Sequence, residues 1–423
     1  MATATEPQTG APRPPRGGVA PHLKSGPVRF GPFRLQQLVL LQVAAAVLLV
    51  AWVVEPLLLV PAGGLALVLV VLALVRRSRR PLPDWIGGAL ALRARRRRAA
   101  ASTVPAGTEP GFAPLVEADP ALRTLTFSDR DRRPVGMVGD GTFLTAVVQV
   151  DTDATALRPD RGARPLPLGL VRDVLEVDGI RLESAQLVQH TQPAPAPHLP
   201  ERSTAAQNYA PLQARTGSPA VRLTWIALKL DPELCPEAVT ARGGGLAGAQ
   251  RCVVRVADQL ASRLTGAGFR AAVLTEQELT AALATSSCAN PMAITQAGRS
   301  ASTGRRTEET PRTWRCDDLR HTTYWIGRWP QLGGSGAGLP QFVALLTSLP
   351  ALATTFSLTI AAAERQAVTL TGHLRVTGRS DEELVSARRE LERTARGVKA
   401  GLVRLDREQV PGLLASLPLG GAR

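Results

Sequence analysis

The chain has 423 residues, more than one average domain; its 44% hydrophobic content suffices for a folded core, and 4% aromatics put that core on Leu, Val and Ala. A net charge of +15 suggests a nucleic-acid interface, but the placement of the charge argues against one. Residues 1–34 carry five basic side chains against Glu6, residues 76–98 carry nine Arg against Asp84, and a net of only +4 remains for residues 99–423.

The N-terminal 1–34 is rich in Pro, Gly and basic residues, a composition that predicts disorder. From Leu38 to Val54 the chain reads LVLLQVAAAVLLVAWVV, and from Leu57 to Val75 LLLVPAGGLALVLVVLALV. A run of about 19 residues rising ~1.5 Å each covers roughly 28 Å, close to the hydrocarbon thickness of a bilayer. Only Glu55 and Pro56 separate the runs, so residues 35–75 predict a two-helix transmembrane hairpin. Arg collars flank it and its turn has none, which predicts both termini in the cytoplasm and a plasma-membrane location. Residues 76–100 read as a basic interfacial segment with a helix at 84–98. Arg76, Arg77, Arg79, Arg80, Trp85, Arg93, Arg95, Arg96, Arg97 and Arg98 are its expected membrane anchors, facing anionic lipid.

Beyond a linker near 101–120 the patterns predict a cytoplasmic α/β region with a mixed sheet (α+β). A small lobe is expected at 120–200, with strands at 142–150 and 182–190 and a helix at 168–175, closing on the Pro-rich 192–200. A larger lobe is expected at 215–420 as an internal duplication. Its first copy has a strand at 221–230, a helix at 249–264, a strand at 269–274 and a helix at 276–284. A shift of 131 positions returns a strand at 354–360, a helix at 381–394, a strand at 402–405 and a helix ending near 417. Leu274, Thr275, Leu279 and Leu283 then align with Leu405, Asp406, Val410 and Leu414. Residues 285–312 read as a flexible loop.

Candidate chemistry is sparse. The Gly-rich 243–248 precedes a helix, where free amides hold anions, but it lacks the Lys-Ser/Thr of a P-loop. Tyr324, Trp325 and Trp329 form an aromatic group read as core on one face or as a partner interface. Strand alternation puts Tyr324, Ile326 and Arg328 on one side, Trp325 and Trp329 on the other. His321 near Cys316, Asp317 and Asp318 lacks ligand pairs at fixed spacing. Cys235, Cys252, Cys288 and Cys316 show no CxxC and read as buried thiols. No catalytic, cofactor-binding or metal-binding residue is assigned, and no enzyme is expected.

Five stretches, in this order, resemble the EccE family of the actinobacterial (streptomycete-type) type VII (ESX) secretion system. They are the hairpin ending in RRSRR with Trp85 and the Arg cluster, VGMVGDGTFLTAVVQV at 135–150, LVQHTQPAPAPHLP at 187–200, CPEAVTARGGGLAGAQR at 235–251, and HTTYWIGRWP at 321–330. The resemblance implies a non-catalytic scaffolding subunit of the membrane translocation complex. Its implied partners are EccB, EccC, EccD and a mycosin protease, and its implied cargo is WXG100-type proteins. The residues leave one alternative, a membrane-tethered enzyme taking a nucleotide-linked or lipid substrate at 243–248. A weaker reading is a lipid-sensing regulator acting through 93–98.

Overall fold

The computed structural model describes residues 29–30, 33–55, 59–74, 76–77, 80–128, 133–152, 165–192, 203–204, 207–208, 221–299, 304–332, 338–363 and 367–421. The expectations for residues 1–28 and for the Pro-rich 193–200 lie outside them.

Three helices lead the chain: α1 (Leu35–Val54), α2 (Leu59–Leu74) and α3 (Leu82–Ala101). α1 and α2 lie against each other, and both are apolar on every side. Among the described residues, 13 of the 20 exposed large hydrophobic side chains belong to this pair, Trp52, Val53 and Val60 among them. Among the described residues, no helix is long and apolar enough to cross a membrane. Described side chains run only over 41–54 and 59–71 without a break, so the expected crossing is a proposal, argued below.

Behind α3 and the short α4 (Ala113–Ala118) stands a 12-stranded sheet. Its first strands are β1 (Arg123–Ser128), β2 (Pro134–Gly139), β3 (Leu144–Thr152), β4 (Ser184–Gln192), β5 (Val221–Leu230) and β6 (Phe269–Val273). The others are β7 (Thr307–Glu309), β8 (Trp314–Cys316), β9 (Leu319–Arg328), β10 (Ala353–Ala362), β11 (Val368–Gly378) and β12 (Gly401–Arg404). They run in the order β7-β8-β9-β11-β10-β4-β5-β3-β2-β1, with β6 on β3 and β12 on β9. Helices α5 (Leu168–Asp173), α6 (Pro236–Ala241), α7 (Gly245–Gly266), α8 (Glu276–Ser286) and α9 (Pro291–Arg299) join the first strands. Helices α10 (Leu339–Thr347), α11 (Asp381–Gly397) and α12 (Gln409–Ser416) join the later ones.

The ladders reveal two copies of one unit. In the first, β3-α5-β4-β5-α7-β6 lines up as β6-β3-β5-β4; in the second, β9-α10-β10-β11-α11-β12 lines up as β12-β9-β11-β10. Each is a split βαβ arrangement, in which a crossover skips one strand that is then inserted between its ends. The registers agree residue by residue. Val148 lies between Ile226 and Val273, and Tyr324 lies between Leu374 and Arg404. The Leu274 amide donates to the Val147 carbonyl and the Leu405 amide to the Thr323 carbonyl, both at 3.0 Å. The two units join edge to edge where β4 pairs with β10.

Three expectations are corrected. Every described ladder is antiparallel, so the sheet is not mixed, because each crossover leaves a strand between the two that run parallel. The boundary at 200 does not divide it: β4, before that point, is flanked by β5 and β10 after it. The duplication is longer than expected and pairs its strands differently. The counterpart of 221–230 is β11, not the strand near 354–360, which answers to β4. The shift of 131 holds from α7 onward, where Val253, Val256, Leu260 and Leu264 answer to Leu384, Ala387, Leu391 and Ala395.

Two different faces follow from strand alternation. One is apolar: Val148, Ala185, Ile226, Leu358 and Leu374 are buried against α5, α7, α10 and α11. The other face, toward α8 and α12, carries a row of buried polar groups. Gln186 Nε2 donates to Ser357 Oγ at 2.7 Å and to the Ala415 carbonyl at 2.8 Å, and its Oε1 accepts the Gly420 amide at 2.8 Å. Ser184 Oγ donates to the Gly420 carbonyl at 2.5 Å and Thr145 Oγ1 to the Leu419 carbonyl at 3.0 Å. Buried polar groups persist only when paired, so this face needs the 419–421 segment as its cover.

Candidate functional site

The densest positive charge in the chain lies in the second half of α3, and there the leading helices are tied to the sheet. Arg95 meets Glu309 of β7 through two parallel bonds, Nε to Oε2 and Nη2 to Oε1, both 2.9 Å. Its Nη2 also donates to the Arg407 carbonyl at 2.5 Å, and Arg96 Nε donates to the Glu309 carbonyl at 2.8 Å. Glu309 Oε1 in turn accepts the Val410 amide in the first turn of α12, at 3.0 Å. That amide has no partner within its own helix, and a carboxylate there also suits the helix dipole. One buried carboxylate therefore holds α3, β7 and α12 together, with the fork geometry that Arg supplies and Lys does not.

A second knot lies just before it. Arg305 Nη1 donates to the Ala99 carbonyl at 2.6 Å and Nη2 to the Glu117 carbonyl at 3.0 Å. Arg306 grips Asp317 at 2.8 and 2.7 Å and the Pro110 carbonyl at 2.7 Å. Glu117 of α4 accepts the Thr307 amide at 2.8 Å and the Thr307 hydroxyl at 2.7 Å. Residues 305–309, expected within a flexible loop, are thus the hub of the joint, and 291–299 within the same loop are helix α9. Nothing in the local pattern marks Glu309 or Glu117. Their partners lie far away in sequence, and only the Arg305–Arg306 pair hints at a charged contact.

Among the expected membrane anchors, Arg93, Arg97 and Arg98 are exposed. Arg95 is corrected: its guanidinium is committed to Glu309, and Arg96 shares that contact. The side chains of Arg76, Arg77, Arg79, Arg80 and Trp85 lie outside the described residues. The sequence also points Ile86, Leu90 and Leu92 toward lipid: Ile86 and Leu90 are exposed on α3, but Leu92 is corrected, since it is buried.

The aromatic group is corrected at Tyr324. Tyr324 is 1% exposed, and its hydroxyl donates to Glu392 Oε1 at 2.8 Å, so it is core rather than interface. β9 is flanked by both β11 and β12, and α11 covers the face that carries Tyr324. Burial pushes the Tyr324 phenol above its ordinary range, against the pull of Arg388. A register shift between Ile326 and Arg328 breaks the alternation and turns Trp329 onto the Tyr324 side. There its ring lies 6.0 Å from Phe342 and over Gly372, where a Cβ would stand 2.6 Å from the indole. Trp325 is half-buried on the opposite side.

The Gly-rich stretch is a turn between two helices. The amides of Gly243 and Gly244 are taken by the carbonyls of Thr240 and Val239, both at 3.0 Å. Gly243, Gly244 and Gly245 all have positive φ, which side chains resist. Asp317 is held by Arg306, and Asp318 accepts from Asn290 Nδ2 at 2.9 Å. His321 shares a hydrogen bond with Thr377 Oγ1 at 2.9 Å and stacks on Trp314 at 5.0 Å. Among the described residues, no group of three or more His, Cys, Asp or Glu is placed to hold a metal.

Residues 218–326 match the family described as "Putative type VII ESX secretion system translocon, EccE". That segment belongs to the EccE family. It spans about a quarter of the chain, from β5 through most of β9, and so bridges the two repeats. It contains Arg305, Arg306 and Glu309, the lobe side of the α3 joint. No curated protein matches the chain. The match supports reading the chain as a component of a type VII secretion translocon.

Proposed function

We propose that the chain is a non-catalytic scaffolding subunit of that translocon, bracing the complex at the cytoplasmic face of the plasma membrane for export of WXG100-type proteins. The observation that carries this reading is the α3 joint. A scaffold must pass load from its membrane anchor to its bulk, and Glu309 and Arg305 fasten the helix that follows the apolar pair to the β7 edge of the sheet, within the segment that matches EccE. In this reading α1 and α2 cross the bilayer as a hairpin with both termini inside: the 20 residues of α1 cover about 30 Å and the 16 of α2 about 24 Å, and their apolar side chains face outward. Arg93, Arg97 and Arg98 then face anionic head groups, worth about 1 kcal/mol each near the surface. EccB, EccC, EccD and mycosin are the expected neighbours.

The alternative enzyme at 243–248 loses its main support, because two of the amides it needs are already spent on α6. The scaffold reading is tested by purification in mild detergent from the native membrane. Recovery of other translocon subunits is expected with the intact chain, and their loss with Glu309→Ala. A chain that purifies alone under several detergents would sink the proposal. Reporter fusions at residues 55 and 421 test the topology, with the first expected outside and the second inside.

A further inference from the structure

The two ends of the sheet are finished differently. Each unit is preceded by a hairpin whose second strand pairs with the start of the unit: β1-β2 leads into β3, and β7-β8 into β9. The first strand of each hairpin is an end strand of the sheet order. On β7 the outward backbone groups are taken. The Thr307 amide donates to Glu117 Oε2 at 2.8 Å and the Thr307 carbonyl accepts Arg305 Nε at 2.9 Å, while the Glu309 carbonyl accepts Arg96 Nε at 2.8 Å. On β1 they are bare. The Gly136 amide donates to the Leu274 carbonyl at 2.9 Å and so points away from β1. Its opposite number on β1, Thr126, therefore turns its own N–H and C=O outward, and by alternation so do Thr124 and Ser128. Among the described residues nothing bonds to these backbone groups.

An open edge is a template for another strand, and edges that stay single carry Lys, Pro or a bulge. Residues 124–128 (TLTFS) have no charge and no Pro, and their register with β2 is unbroken. We propose that this edge pairs with the same edge of a second copy of the chain, antiparallel about a two-fold axis at Thr126. The outward groups sit on even-numbered residues, so a partner of the same sequence must set even residues opposite even. With the axis at Thr126, that residue faces its own counterpart, Thr124 faces Ser128, and Leu125 faces Phe127. Like then meets like on each side. The Thr and Ser hydroxyls share the face toward α8, and Leu125 and Phe127, half-buried at the rim of the apolar core, gain cover from their counterparts. An axis at Leu125 instead sets Arg123 against Phe127 and leaves Ser128 beyond the ladder. Glu276, which accepts the Thr126 hydroxyl within its own copy, is partly exposed to water that screens it from its counterpart. The chain already joins its two units by the same antiparallel edge contact, β4 against β10. A two-fold also leaves both leading helix pairs facing the same way along the axis, as two anchors in one membrane require.

The experiment oxidises the full chain with copper–phenanthroline in native membranes and reads dimers on non-reducing gels. Cα atoms of a hydrogen-bonded antiparallel pair lie about 5.5 Å apart, within disulfide reach, whereas the two copies of residue 124 would stand roughly 14 Å apart. Thr126→Cys is therefore expected to give a disulfide-linked dimer, and Thr124→Cys about tenfold less of it. Thr124→Cys combined with Ser128→Cys should restore linking. The parent is the blank, since its own four cysteines are buried. Thr124→Pro beside Thr126→Cys removes an outward N–H from an edge where Pro is tolerated, and should cut linking about tenfold. Native cysteines that stay closed to iodoacetamide show that this variant is folded. No dimer from Thr126→Cys overturns the proposal, as does linking at Thr124→Cys that matches it, or linking that survives Thr124→Pro. A Thr126→Cys adduct with a different protein in place of the dimer also overturns it. Neither the scaffold role nor the membrane crossing depends on this pairing, so both outlast its failure.

Discussion

Val188 and Ser357 stand directly opposite each other at the joint of the two units, and each occupies the other's place in its own repeat. Val188 is paired on its other side with Trp225, and Ser357 with His373. A pseudo-two-fold axis therefore runs through this pair, yet one member is an alkyl group and the other a hydroxyl. Ser357 Oγ bridges Gln186 Nε2 at 2.7 Å and the Ala415 carbonyl at 3.0 Å, while Val188 packs among Trp225 and Leu413.

The two are therefore not interchangeable. Ser357→Val removes one bridge from a buried network and should cost about 1–2 kcal/mol. Val188→Ser should cost about as much by opening the cluster around Trp225. Urea melts of each variant check both. A double swap as stable as the parent would mean that the polar network is not tied to one half.

Glu309 is the keystone of the α3 joint. Glu309→Ala leaves Arg95 partly buried without a counter-charge and frees the Val410 amide, at a cost of about 2–3 kcal/mol. Hydrogen exchange should show the second half of α3 losing protection before any strand does. Equal protection in parent and variant would show that α3 is held by other contacts.

Two glycines should respond with opposite signs. A Cβ on Gly136 would stand 2.4 Å from the Glu276 amide nitrogen and 2.5 Å from the Thr275 carbonyl carbon, both backbone atoms that cannot step aside. Gly136→Ala should cost about 1–3 kcal/mol. Gly169, in α5, would meet nothing within 4 Å, so Gly169→Ala should gain about 0.5–1 kcal/mol through helix propensity. Thermal melts of the two variants give the comparison.

Acid should unfold the lobe through buried imidazoles. Burial, aided by Arg375, lowers His190 to about 3, and burial lowers His373 to about 4. Both lie below the ordinary value of 6.5, so the unfolded chain binds more protons between those limits. Stability is then full above pH 6.5 and falls as pH drops toward 4. The slope is about 1.4 kcal/mol per pH unit for each ring. His190→Gln together with His373→Leu should flatten that limb of the profile. An unchanged profile would mean that other groups dominate.

All four cysteines are free and buried, and burial raises the thiols of Cys252, Cys288 and Cys316. Thiolate is the reactive form, so iodoacetamide at pH 8 should leave the folded chain unmodified and alkylate four sites after unfolding. Rapid labelling of any one cysteine in the folded state would contradict this placement.

Much of this fold is legible from periodicity. The strand at 221–230 matches its expected limits, and the helices at 276–284 and 381–394 are short by only a few residues, because each has one apolar stripe behind a capping Thr275 or Ser380. β1, β2 and β11 escape notice. β1 and β11 begin with alternating Thr and apolar residues beside Arg or Gln, and β2 is broken by glycines. The anti-alternating turn at Gly327 hides the placement of Trp329, since a bulge leaves no sign in residue type. The α3 joint is invisible for another reason: Arg95 and Glu309 are 214 residues apart, and an Arg cluster beside apolar helices reads the same whether it faces lipid or a carboxylate.

The segment at 419–421 covers hydroxyl and amide groups of β3 and β4 that lie 234 residues or more earlier in the chain. During synthesis those strands emerge long before their cover exists. The centre of the sheet must wait, its polar row still hydrated, while the leading helices have ample time to reach their destination. Closure of the lobe thereby waits for residues 419–421, so a ribosome stalled short of residue 419 would leave an open, sticky half-sheet for quality control to find.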